Sequence, residues 1–284
     1  MEGKMMERRK SGKLTQVPKD IFEVIHNRRS IRHFTEKSVS DSTLKKILEA
    51  GIRAPFGAQL YSMVYTRDKE KMKKLRTIGI YPSTKVLILF FVDFRKLEKM
   101  IQERGYQYNY DDGMLLWVAI QDATLVAENV VLAADALGLG SVLLGAPPLK
   151  ADLVSKVFDV PNRVFPVVAL CLGYPDPSVK TNIRPRFPMK YIAFKDSYHD
   201  LSKSEIKECM RAMDEGYITQ GYYMNILKKK IPLMKGKDEV SLNEYSWSEH
   251  ISRKFSQGRS IKVEGLHTKE SLFSVIRRYG FNLD

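Results

Sequence analysis

The stretch Asp122 to Gly145 reads DATLVAENVVLAADALGLGSVLLG. From Asp122 to Leu137, apolar side chains fall on nearly every face of a helix. A helix that is apolar all round has no solvent side, so it is a central core helix or lies at a subunit interface. Gly138 follows as the residue that takes left-handed backbone after a helix. Gly140 to Leu144 then reads as a short strand. A buried helix turning directly into a strand is the centre of a mixed helix-and-sheet domain.

Outward from this centre, Val86 to Val92 (VLILFFV) is a continuous apolar run rich in β-branched and aromatic residues, the pattern of a central strand buried on both faces. Pro166 to Gly173 (PVVALCLG) is a second buried strand, and Ser62 to Thr66 a further one. From Pro18, residues Ile21, Phe22, Val24 and Ile25 give a short amphipathic helix. Ser40 or Asp41 caps a second helix with Leu44, Ile47 and Leu48 on one face, ending near Gly51 to Pro55. Leu149 to Phe158 is another helix, and Tyr174 to Pro188 is a Pro-rich loop. Beyond it the texture becomes helical: 203–230, 246–255 and 268–279 read as helices, and Ser202-x-x-Glu205 and Ser246-x-x-Glu249 are capping-box patterns. The expected division is a flexible basic segment at 1–17, a main domain at 18–194 and a helical extension at 195–284.

Composition narrows the function classes. The 284 residues are 44% hydrophobic, enough for a sizeable core. The strongest apolar run, Val86 to Val92, is too short to span a bilayer, and no apolar stretch follows the N-terminal charges. The expectation is a cytoplasmic protein without a membrane anchor. Cys171 and Cys209 are too few for a disulfide framework or a zinc site, and no histidine pair has ligand spacing, so no metal is expected. The net charge of +14 raises the question of nucleic acid. The excess is dispersed: 1–20 carries +3, 189–284 carries +4, and 21–188 supplies +7. A solvated basic surface, or an anionic cofactor or substrate, accounts for such a field better than a dedicated nucleic-acid patch.

Four clusters can carry chemistry. Arg28-Arg29-Ser30-Ile31-Arg32-His33-Phe34 is a dense donor group, and arginine forks suit a phosphate or the electron-rich edge of a flavin. Its plain alternative is a solvated helix terminus. Ala54-Pro55-Phe56-Gly57-Ala58-Gln59-Leu60-Tyr61 is a loop with an amide, or simply a connection. Gly138 to Gly145 lets a flat ligand approach the backbone, although its glycines close a helix where a dinucleotide fingerprint would open one. Arg184-Pro185-Arg186-Phe187-Pro188 lies beyond the last strand, where ligands of such folds tend to sit, or is an exposed basic loop. There is no GxSxG sequence, no convincing Cys/His pair and no distinctive carboxylate pair. Any redox or transfer chemistry therefore falls to a cofactor.

Taken in order, these segments resemble the nitroreductase family of FMN enzymes. That family has an RRSxRxF-like start, an AP-x-G-x-N-x-Q loop, a core helix ending in GLGS…G, a strand ending in LGYP and a basic loop. The counterparts are Arg28–Phe34, Ala54–Tyr61, Asp122–Gly145, Leu172–Pro175 and Arg184–Pro188, within roughly residues 20–192. The resemblance implies an α+β fold, a nitroreductase-like mixed sheet surrounded by helices, with a helical C-terminal extension outside the minimal pattern. It implies a homodimer with FMN at the subunit interface, and NADH or NADPH as reductant. By the same resemblance Arg28, Arg29, Ser30 and Arg32 contact FMN, with Arg32 near the pyrimidine edge, where it stabilises the charge of the reduced flavin. Leu144 and Gly145 bring backbone to the reactive side of the ring. Arg184 and Arg186 help hold the phosphate. Pro55, Phe56, Gly57 and Gln59 approach from the other subunit.

The implied reaction is ping-pong hydride transfer from NAD(P)H through the flavin to a nitroaromatic, a quinone or a similar organic acceptor. Gln59 stands where the family has Asn, Tyr61 where it has Gln, and Ser62-Met63 where it has Pro-Trp. These departures motivate a second reading, a specialised relative of reductive dehalogenase or flavin-fragmenting type. A basic nucleic-acid-binding module is the third.

Overall fold

The computed structural model describes residues 20–222, 245–255 and 270–283. The expected flexible segment at 1–17 and residues 223–230 of the expected 203–230 helix lie outside the described residues.

Four strands form one sheet in the order β1-β2-β4-β3: β1 Tyr61–Thr66, β2 Val86–Asp93, β3 Gly140–Leu144 and β4 Val164–Gly173. All three pairings between them are antiparallel. The parallel component of the expected mixed sheet is a single bridge, Ser30 to Ser141, which lays the Arg28–Phe34 segment along β3. β2 is buried along its whole length because its two faces enter different cores. Val86, Ile88 and Phe90 pack under the long apolar helix, while Leu87, Leu89 and Phe91 face the second cluster with Val142, Val154 and Cys171. Burying side chains such as Phe90 and Phe91 contributes roughly 2–3 kcal/mol each.

The apolar helix, α5, spans Asp112–Ala136. It begins at Asp112, not at Asp122 as expected from the sequence, because Asp111 is the true N-cap and accepts from Gly113 N. By length and composition α5, not β2, comes nearest to crossing a membrane. Here it is the core helix: Val126, Val130 and Val131 are fully buried between the sheet and α2 (Asp41–Gly51), whose Ser40 caps it as expected. Gly138 takes the left-handed turn after α5, with φ +76°. The remaining helices before the extension are α1 Ile21–Asn27, α3 Lys69–Lys74, α4 Arg95–Glu103 and α6 Ala151–Phe158.

Past residue 194, α7 (Lys203–Thr219) starts in the expected capping box of Ser202 and Glu205. It packs on α8 (Trp247–Phe255), where Ser248 donates both its N–H and its hydroxyl to Asp214. The last described helix, α9 (Leu272–Arg278), is no appendage. Val275, Ile276, Tyr279 and Phe281 complete a third core cluster with Leu60, Phe94, Leu116 and Phe165. Arg163 clasps that segment. It pairs with Glu98 and Asp112, donates to Gly280 O at 2.8 Å, and lies about 5 Å from the rings of Phe94 and Phe281.

Candidate active site

The Arg28–Phe34 segment is fixed by its backbone. Ile31 N donates to Ser141 O at 2.8 Å, and Phe34 N donates to Ser83 Oγ at 3.1 Å. That leaves the Arg32 side chain to be aimed by Tyr81: Nε donates to the Tyr81 hydroxyl at 3.0 Å, and Nη1 donates to Ser30 O at 3.2 Å. Arg28 caps the end of α1 and is half-buried. Arg29 is exposed and turns back to Asn27 O.

Arg184 and Arg186 come to the same place from residues far along the chain. The Tyr217 hydroxyl on α7 records this. Burial pushes its pKa up, while Arg184, Arg186 and Arg32 pull it down. Arg184 lies 5.5 Å from the Tyr217 ring and Arg186 Nη1 donates to Arg184 O at 3.0 Å, so these two are neighbours, and Arg32 acts on the same hydroxyl through its charge. Among the described residues no carboxylate lies within ion-pair distance of any of the three. Guanidinium groups left without a carboxylate partner are ready to take an anion.

At the end of β3, Gly145 borders open space: a Cβ built on it meets nothing within 4 Å. Leu144 packs beside Gly79, close in sequence to the Tyr81 that holds Arg32. An accessible stretch of backbone beside an arginine cluster fits a flat, anionic ligand such as FMN.

The Pro55–Gln59 loop is anchored elsewhere. Asp122, 2% exposed on α5, accepts from Gly57 N at 2.7 Å, Ala58 N at 3.2 Å and Leu60 N at 3.4 Å. With those N–H groups captured, Gln59 is held at φ +52° and Phe56 is left exposed. The departures that follow Gln59 are absorbed by the fold. Tyr61 is buried in the central core, Ser62 donates to Asp93, and Met63 packs against the core. Gln59 itself stays exposed on the loop. Tyr81, Asp122, Tyr217 and Gln220 are site residues that the sequence reading missed. The one signal was Asp122, an acid inside an otherwise apolar run.

The model of the nitroreductase family matches residues 25–174. The chain belongs to the nitroreductase family. Family members are oxidoreductases, and this chain is an enzyme of that kind. The NADPH-dependent oxidoreductase of Staphylococcus haemolyticus is 29% identical over 203 residues, 69% of this chain and 80% of its own. B. megaterium NfrA2 has a TM-score of 0.74 at 25% identity, over 93% of this chain and 98% of its own. The NfrA1 nitroreductase of B. subtilis, at 23% identity, shares the fold with a TM-score of 0.74 over 93% of this chain and all of its own. These likenesses extend well beyond residue 174, so the helices after residue 194 have counterparts in the family fold.

Proposed function

We propose that this nitroreductase-family chain is a cytoplasmic, homodimeric, FMN-dependent oxidoreductase that passes hydride from NAD(P)H to an organic acceptor in ping-pong order. The observation that carries the reading is a set of held arginines without a carboxylate partner among the described residues: Arg32 aimed by Tyr81, and Arg184 with Arg186 on the loop beside Tyr217. FMN dependence is typical of the family, and the similarity to the NADPH-dependent oxidoreductase of Staphylococcus haemolyticus supports NADPH over NADH.

FMN, when bound, supplies the reversible acceptance of a hydride. The chain's own residues bind and orient. Arg184 and Arg186 neutralise the phosphate, and Ser30, Arg28 and Arg29 add donors along the entering segment. Arg32, held by Tyr81, stabilises negative charge that develops on reduction. Leu144 and Gly145 offer backbone with open space before it. No acid or base of the protein is required.

The dimer is supported by apolar surface that one chain leaves bare. Met114, Trp117 and Leu125 on α5, Ile21, Phe22 and Ile25 on the α1 packed against it, and Phe56 are all exposed. A paired copy covers such a face, and it brings the Pro55–Gln59 loop of one subunit toward the cofactor of the other. Residues 18–194 then form the cofactor domain, and the described helices of the 195–284 extension brace it.

The test is an absorption spectrum of the purified protein with identification of the released chromophore. One FMN per chain, reduced by NADPH, is the expected result. A colourless protein that takes up no added FMN overturns the reading. Arg32→Ala is expected to weaken FMN binding and slow flavin reduction together; unchanged values in both would remove Arg32 from its role.

A further inference from the structure

The site so far uses Arg184 without asking what aims it. Its loop lies against the end of α7. A Cβ on Gly216 would stand 2.5 Å from Pro185 Cγ, so helix and loop touch at a position that only glycine permits. One turn on, Gln220 grips the loop at both sides of the peptide. Its Nε2 donates to Ile183 O at 2.6 Å, and its Oε1 accepts from Arg184 Nη1 at 3.3 Å. The guanidinium lies over the Tyr222 ring at 3.6 Å, with Tyr217 at 5.5 Å. Arg186 Nη1 donates to the carbonyls of Arg184 and Pro185, which tightens the turn. From α8, Trp247 packs edge-on against Phe187 of the same loop.

Every one of these contacts orients Arg184, and none neutralises it. An amide and an aromatic face fix the plane of the fork, while most of its five N–H donors remain for another acceptor.

We propose that Gln220 and Tyr222 are positioning residues that hold Arg184 to read a phosphate monoester, so that the C-terminal extension is a working part of the ligand site. This rests on the flavin reading above. Two ligands of that reading carry such a group, the FMN phosphate and the 2′-phosphate of NADPH.

The test is titration of the full-length chain, stripped of flavin, with FMN and with riboflavin, which lacks the phosphate. Gln220→Ala is expected to raise the FMN dissociation constant about tenfold and to leave riboflavin unchanged. Tyr222→Ala should behave alike, and Tyr222→Phe, which keeps the ring, should restore FMN affinity. If the FMN-to-riboflavin ratio stays fixed while KM for NADPH rises relative to NADH, the phosphate read is that of the nicotinamide nucleotide and the positioning role stands. Equal losses for FMN and riboflavin, or no change in any of these, overturn the proposal while leaving the flavin reading intact. A wild-type chain that takes up neither flavin sinks the flavin reading and this proposal with it.

Discussion

Arg163 and Arg184 are set in similar surroundings and are left in opposite states. Both lie over aromatic rings, Arg163 near Phe94, Tyr108 and Phe281, Arg184 over Tyr222 and near Tyr217. Arg163 is closed by two carboxylates, Glu98 and Asp112, and its charge is spent inside the fold. Arg184 bonds to the neutral Gln220. Stacking orients both, so counter-charge is what separates an arginine that holds the fold from one that awaits a ligand.

The largest effect expected from this contrast is on stability. Arg163→Ala leaves Asp112, 2% exposed, without its cation, and is expected to cost about 3–5 kcal/mol in chemical denaturation. An effect below about 1 kcal/mol would mean the clasp is slack. Arg184→Ala should invert the pattern. Stability should stay within about 0.5 kcal/mol, while FMN affinity falls about a hundredfold, as for a lost bidentate phosphate contact of about 2–3 kcal/mol. Loss of fold together with ligand would erase the distinction between the two arginines. Arg163→Lys keeps the charge and loses the fork, and is expected to cost about 2 kcal/mol; a wild-type denaturation midpoint would show that charge alone suffices there.

The smallest and most specific effect is on acid sensitivity. Burial raises the pKa of Asp112, but Arg163, the Tyr108 hydroxyl and Asn282 N–H outweigh it and hold the carboxyl below its ordinary range. A carboxyl depressed in the fold stabilises above its unfolded value, near 4, and that stabilisation is lost as pH falls through the lowered folded value. The stability gap between wild type and Asp112→Asn should therefore be constant near neutrality and narrow below about pH 4. A gap that is flat through acid pH would remove Asp112 from the clasp. The Arg184 cluster has no carboxylate among the described residues to titrate, so Arg184→Ala should leave the acid limb of the stability curve unchanged.

Much of the scaffold was legible because apolar runs report burial directly. Val86–Val92 and Gly140–Leu144 were placed within a residue of β2 and β3. Where helices were short and polar residues dominated, the reading failed: α3 and α4, rich in Lys and Glu, were not seen, although α4 carries a stripe of Leu97, Met100 and Ile101. Asp122 was misread as a helix start, because an acid beside an apolar run looks the same whether it caps the helix or feeds a loop from inside it. The arginines of the candidate site could be proposed from motif order and the family resemblance. Their holders could not. Tyr81 meets Arg32 across 49 residues, and Gln220 meets Arg184 across 36, with no local pattern to announce either contact.

The clasp also sets the order of events in the life of the chain. Asn282 N donates to Asp112 across 170 residues, and Phe281 packs edge-on against Phe94. During vectorial synthesis the third core cluster, with Phe94 and Phe165, therefore stays incomplete until the ribosome has delivered α9. Such long-range closure is slow and leaves sticky surface exposed meanwhile. A nascent chain stalled before Leu272 should be a preferred client of holding chaperones, and release should come only when the last helix docks.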